Sequence, residues 1–304
     1  MKRVLLIAVQ VAMFIGSASA QSILPEIKHR ADEVIAVWNN QTAPHSNNIT
    51  EREYIDHKEN LFNTTETELF VYPARGTNTG QGVVIVPGGG YYKVCTPWDG
   101  FSIAEWLQSV GVTAMVVKYR LPNEGYDEVP YEDVREALRY MRDKGEKWGV
   151  QASKVGLLGA SAGGHLAGWV STTLPCEEKP AYSILIYPVV SGSMISTKKN
   201  SFSNLLGPDC TAAEVERYSL ENCVDENTPP TLLLLSDDDQ RVSSLNSILF
   251  YKALKYYGIE AAMHVYSFGK HGWAGHDDYH YDKFVKAAMK NWLEIQNNKK
   301  IEKR

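Results

Sequence analysis

The chain has 304 residues, 44% hydrophobic and 22% charged, enough for one substantial core and unlike a disordered, fibrous or coiled-coil composition. Its formal net charge of −5 at pH 7 offers no electrostatic footprint for nucleic acid or anionic lipid, so those partners are excluded first.

Residues 1–20 read as an address. Lys2 and Arg3 make a positive start, Val4 to Gly16 is apolar except for Gln10, and Ala18-Ser19-Ala20 forms the small-x-small site that a signal peptidase cuts. A membrane span needs roughly 20 apolar residues, and this run is shorter. The expectation is a cleaved signal peptide, a mature chain beginning at Gln21 with no membrane association, and a secreted or periplasmic location; the alternative is an uncleaved anchor. Residues 21–66, polar and weakly periodic, read as an N-terminal arm. The main domain is expected over 67–296 and a basic polar tail over 297–304.

From about Gln81 onward, short apolar runs alternate with helical stretches. Strands are predicted at 83–86, 114–117, 155–158, 184–187, 232–235 and 262–266. Several are nearly continuous in apolar residues, as strands covered on both faces are. Helices are predicted at 101–109, 131–147, 164–173, 247–257 and 281–295, between and after the strands. This alternation means a parallel α/β sheet. Residues 191–230 break the rhythm and read as an insertion over the sheet's C-terminal edge. The four cysteines, Cys95, Cys176, Cys210 and Cys223, lie in the exported part, where disulfides persist. Three pairings are open. Cys210 with Cys223 is the favoured pair, and free thiols are the alternative.

The sharpest local signal is Gly159-Ala160-Ser161-Ala162-Gly163, directly after one predicted strand and directly before a helix. In that context the serine sits on a strained turn, its hydroxyl presented above the sheet edge beside the next backbone N–H. A serine hydroxyl attacks only when a base takes its proton, and the base needs an orienting acid. In the chain order Ser, Asp, His, the acid is expected after the strand at 232–235 and the histidine after the last strand. Asp237-Asp238-Asp239 and His271 stand there. Three adjacent carboxylates cannot all be buried and charged without partners, so at least one should be solvated; Asp239 is favoured as the acid, with Asp238 second.

Other histidines fit less well. His264 lies within a strand, His276 and His280 are expected to begin the last helix, and His165 reads as a packed helix residue. His271, His276, Asp277, Asp278 and His280 resemble a metal cluster superficially, yet only His276 and His280 have helical spacing. No metal and no cofactor is expected. A second signal, Pro87-Gly88-Gly89-Gly90-Tyr91-Tyr92, follows the strand at 83–86. Consecutive glycines let backbone N–H groups turn toward a developing oxyanion, so Gly89, Gly90 and Ala162 are the expected donors. A phosphate cradle would need the Lys-Ser/Thr of a P-loop or the third glycine of a dinucleotide fingerprint, and neither is present.

With these residues the chain resembles the α/β-hydrolase superfamily, and within it the exported acetyl-xylan and feruloyl esterases related to hormone-sensitive-lipase-type esterases. The resemblance runs from about Val71 to Leu293 and rests on VVIVPGGGYYKV, WDGFSIAEWLQSVGV, VVKYRLP, WGVQASKVGLLGASAGGHLAG, SDDDQRVSSLNSILFYKAL and FGKHGW. It implies an α/β-hydrolase fold of about eight mostly parallel strands, with Ser161, Asp239 and His271 as triad and Gly89, Gly90 and Ala162 as oxyanion donors. Two positions depart from it. Pro87 stands where lipase-type relatives often carry His, and the acid loop reads DDDQRVSS where relatives usually end in Val-Pro.

The implied substrate is an acetylated or feruloylated saccharide of xylan type. Tyr91, Tyr92, Trp98 and Trp273 flank the expected site as pocket walls for a sugar or aryl group, or as core residues. A prolyl-oligopeptidase-like peptidase, a general short-chain carboxylesterase and a non-catalytic saccharide-binding protein are the competing readings. Oligomeric state is not legible.

Overall fold

The computed structural model describes residue 27 and residues 30–194 and 200–299. The segment read as a signal peptide, Gln21 and most of the basic tail lie outside the described residues. Eight strands form one sheet in the order β1 (Glu33–Asn39), β4 (Glu66–Tyr72), β6 (Thr113–Lys118), β5 (Gly82–Val86), β7 (Val155–Ala160), β8 (Ser183–Ile186), β9 (Thr231–Ser236), β10 (Ala261–Tyr266). A two-residue pair, β2 (Tyr54–Ile55) and β3 (Leu61–Phe62), stands apart.

The six strands expected from the apolar runs are the six parallel ones. Every residue of β5 to β9 is buried. Helices cover both faces of these strands, and full burial of each Val, Leu or Ile contributes about 1.5–3 kcal/mol. β10, at the sheet edge, is half-exposed.

The antiparallel edge extends the domain. β1 pairs with β4, and β4 with β6, both antiparallel. The sheet therefore begins at Glu33, inside the stretch read as an arm, rather than at 67. Long-range polar contacts fasten it there. Trp38 Nε1 donates to Asp133 Oδ1 at 2.6 Å, and Arg120 donates to the carbonyl of His45 at 2.6 Å. Arg120 and Asp133 are themselves a buried pair 2.8 Å apart.

The helices are α1 (Ile103–Ser109), α2 (Glu128–Lys144), α3 (Ala162–Thr173), α4 (Ser201–Leu206), α5 (Ala212–Tyr218), α6 (Leu245–Tyr256) and α7 (Asp282–Asn298). A π-helical turn over Pro97–Ser102 leads into α1. Helix α2 turns Val134, Ala137, Leu138 and Met141 inward at helical spacing. α7 starts at Asp282, so His276 and His280 lie in the loop before it and not on a helix. The insertion carries α4 and α5, each opened by a capping box, at Asn200 and Thr211. It packs onto α3 so closely that a Cβ on Gly168 would lie 2.5 Å from Leu220.

The favoured Cys210–Cys223 pairing does not form: all four cysteines are free. The Cys223 thiol points back at the carbonyls of Arg217 and Ser219 within its own turn. Among the described residues no helix is long and apolar enough to cross a membrane.

Candidate active site

Strand β7 ends at Ala160 and α3 begins at Ala162, so Ser161 is the turn between them. Its backbone is in a conformation that L-residues avoid, with φ 56° and ψ −123°. The neighbours over-determine it. Ser161 N–H donates to Ile186 O at 3.0 Å, while its carbonyl accepts from His165 N and Val189 N, both at 3.1 Å. The flanking glycines are required by contact. A Cβ on Gly159 would lie 2.2 Å from Gly163 O, and one on Gly163 would lie 2.2 Å from Val86 O.

Two loops bring the partners. Asp239 follows β9, and its Oδ1 accepts from Arg241 N at 2.8 Å and Val242 N at 2.9 Å. Oδ2 stands 2.6 Å from His271 Nδ1, and His271 Nε2 stands 2.8 Å from Ser161 Oγ. With Oδ1 occupied by two amides, Oδ2 accepts the Nδ1 proton, which leaves Nε2 free to accept from the serine hydroxyl. The side chain of Asp239 is 1% exposed and that of His271 12%, so a charge on the ring is poorly screened. Asp238 does a different job. Its Oδ1 accepts from Lys270 N at 2.7 Å and braces the backbone of the histidine loop.

The glycine loop lies against the nucleophile: a Cβ on Gly88 would be 3.0 Å from Ser161 Cβ. Gly88 O accepts from Cys95 N at 2.9 Å, and Gly89 O from Tyr92 N and Lys93 N at 3.3 Å. In trans peptides C=O and N–H point opposite ways, so the N–H groups of Gly89 and Gly90 turn away from the loop's own bonds. Ala162 N is the first amide of α3, where a helix leaves its N–H groups without internal partners.

The four aromatic candidates divide. Tyr91 and Trp273 are core residues, not walls facing substrate. The Tyr91 hydroxyl meets His165 Nδ1 at 2.8 Å; Trp273 donates to Ser236 Oγ at 2.8 Å and stacks on Tyr279. Tyr92 and Trp98 are 53% and 47% exposed. His165 is a packed residue as expected. Its Nε2 donates to the Tyr218 carbonyl at 2.8 Å, and burial lowers its pKa to about 4. The superficial metal set disperses, with His276 stacked on Trp98 and His280 against Phe268. Among the described residues no group of three or more His, Cys, Asp or Glu is placed to hold a metal ion.

Three residues of the site escaped the sequence. Asp99 is a buried carboxyl under the glycine loop, Tyr187 packs its ring 4.6 Å from His271, and Asn204 donates to Gly90 O at 2.7 Å. A signal existed for Asp99, a lone acid before the apolar-periodic stretch that follows the glycine loop. Tyr187 and Asn204 had none.

The doubly wound sheet with a serine elbow, a histidine and an acid meeting at its C-terminal rim defines a class, the α/β hydrolases. The family described as alpha/beta hydrolase fold matches residues 83–274, and the chain belongs to it. An acetylxylan esterase of Xylanibacter ruminicola is 35% identical over 219 residues, covering 71% of this chain and 45% of that protein. Endo-1,4-beta-xylanase B of Butyrivibrio fibrisolvens is 30% identical over 218 residues, 67% of this chain and 34% of that protein. The chain thus spans less than half the length of either curated relative. Among solved structures, an acetyl ester-xyloside bifunctional hydrolase of Caldicellulosiruptor lactoaceticus superposes with a TM-score of 0.72 at 29% identity, covering 87% of this chain and 96% of that one.

Proposed function

We propose that the protein is a serine carboxylesterase that removes acetyl groups from xylan-type saccharides outside the cytoplasm. The observation that carries the reading is the unbroken path Asp239 Oδ2, His271 Nδ1, His271 Nε2, Ser161 Oγ, with links of 2.6 and 2.8 Å. Ser161 attacks the ester carbonyl as His271 takes its proton, and Asp239 holds the resulting imidazolium. The amides of Gly89, Gly90 and Ala162 receive the tetrahedral oxyanion; one such donor is worth about 2.7–4 kcal/mol in the transition state. As the tetrahedral intermediate collapses and its carbon–sugar oxygen bond breaks, His271 gives its proton to the departing oxygen, and water then hydrolyses the acyl-enzyme by the same route.

The names of the relatives support a xylan ester as substrate, and the leader-like residues 1–20 support export. The exposed rings of Tyr92 and Trp98 are the surfaces left for a sugar to stack on. The test is acetate release from acetylated xylo-oligosaccharide, with hydrolysis of 4-nitrophenyl acetate beside it. Ser161→Ala is expected to abolish both, and a folded Ser161→Ala preparation with wild-type turnover would end the proposal. Faster release of ferulate than of acetate would reassign the acyl group, and cleavage of dipeptide amides in preference to esters would favour a peptidase.

A further inference from the structure

The carboxyl of Asp99 stands outside the Ser161, His271, Asp239 path, yet it holds the glycine loop directly and reaches the histidine loop through Tyr187. Its Oδ2 accepts from Gly88 N at 3.2 Å, the first glycine of the candidate oxyanion loop. A Cβ on Gly88 would lie 2.6 Å from that oxygen and 3.0 Å from Ser161 Cβ, so a single glycine separates the carboxylate from the nucleophile. Oδ1 accepts from the Tyr187 hydroxyl at 3.2 Å. That hydroxyl also accepts from Ala274 N at 2.8 Å, three residues past His271, and the Tyr187 ring packs 4.6 Å from the imidazole. Burial and the nearby carboxylate push the Tyr187 phenol well above its ordinary range, so it stays protonated and donates.

Resting on the acyl-enzyme reading of Ser161 and His271, we propose that Asp99 is a positioning residue. Its ionised carboxylate fixes Gly88 in the glycine loop and Tyr187 beneath the imidazole, and its charge favours the imidazolium that His271 becomes during acyl transfer. Asp239 orients the ring from Nδ1, whereas Asp99 supplies a second negative charge from the glycine-loop side. Burial pushes the Asp99 pKa up to about 6; the charge on His271, the Gly88 N–H, the Tyr187 hydroxyl and Lys93 pull the other way. Cys95 and Tyr119 also face it, and burial holds both above their ordinary ranges, so they stay neutral. As pH falls through about 6, Asp99 loses its charge, and with it the hold on Gly88 and Tyr187 weakens.

The experiment is the pH profile of kcat and kcat/KM on 4-nitrophenyl acetate for wild type, D99N and Y187F. In wild type two groups must be in the right state, so the acid limb of log kcat/KM approaches a two-proton slope. D99N is expected to lower kcat on the plateau about tenfold with KM within about twofold, and to reduce the acid limb to one proton. A merely structural role would lower kcat without changing the proton count. Y187F removes one donor to the carboxylate, so its acid limb should move to higher pH, and it decides the matter if D99N fails to fold. A one-proton limb in the wild type, or a Y187F limb coinciding with wild type, overturns the proposal. If Ser161→Ala keeps wild-type turnover, it is the acyl-enzyme reading that fails instead.

Discussion

The side-chain amide of Asn204 donates to the carbonyl oxygen of Gly90 at 2.7 Å, tying a helix of the insertion to the candidate oxyanion loop. A second tether runs through the next residue. The Tyr91 hydroxyl donates to His165 Nδ1, whose Nε2–H donates to Tyr218 O at the end of α5. Tyr218 in turn donates through its hydroxyl to Asp127, at the start of α2. The insertion thus braces the glycine loop from above as the sheet braces the serine from below.

Asn204→Ala removes one of those tethers without touching the reacting atoms. A hydrogen bond of this kind is worth about 1 kcal/mol, which converts to roughly a fivefold loss of kcat when spent on loop placement. Steady-state kinetics on 4-nitrophenyl acetate with a parallel melting curve check it. Unchanged kcat would mean that the other tethers hold Gly90 alone.

Asp239→Asn and Asp238→Asn should separate sharply. The first presents an amide to Nδ1, favours the wrong imidazole tautomer and is expected to cost about four orders of magnitude in kcat. The second keeps an oxygen able to accept from Lys270 N and should cost less than about tenfold. Comparable mild losses in both would remove Asp239 from its assigned role.

His165 makes stability depend on pH. Its folded pKa of about 4 lies below the unfolded value of 6.5, so between them the unfolded chain binds the extra proton. Stability therefore falls as pH drops through that window, by on the order of 3 kcal/mol in the limit. Asp99, raised to about 6 from 3.8, acts in the opposite sense over part of the same range, because its folded state takes up the proton first. Urea unfolding of wild type and His165→Gln isolates the histidine: the variant should lose less stability on acidification, and parallel curves would contradict this.

Four free thiols imply insensitivity to reducing agents. Cys176 is exposed, whereas Cys95 and Cys223 are part-buried, their thiols pushed by burial up to about 12 and about 11. Iodoacetamide on the native protein should alkylate Cys176 well ahead of Cys95 and Cys223, with all four labelled after unfolding without reductant. A mass showing a retained disulfide would refute the free-thiol state.

Much of the site was legible because its chemistry is local. Gly159 and Gly163 announce the elbow, since no other residue fits against the Gly163 and Val86 carbonyls. The loops after β9 and β10 carry an acid and a histidine where the chain order requires them. Asp239 was favoured over Asp238 without a signal that separates them, for adjacent residues of one loop differ only in which way the backbone turns them. The fate of the four aromatics was not legible: Tyr91 and Trp273 are buried, Tyr92 and Trp98 exposed, and flanking positions alone carry no information on burial. The favoured Cys210–Cys223 pair failed for a related reason, since spacing measures chain length and not where a thiol points.

The sequence by itself determined the six parallel strands, the serine turn and the glycine loop. Each is written in consecutive residues, through apolar continuity or through glycines that steric contact demands. Only the tertiary structure decided the antiparallel edge starting at Glu33, the acid that meets His271, and the roles of Asp99, Tyr187 and Asn204. Those depend on contacts between segments far apart in the chain, such as Asn204 to Gly90 and Asp99 to Tyr187, whose partners only folding selects.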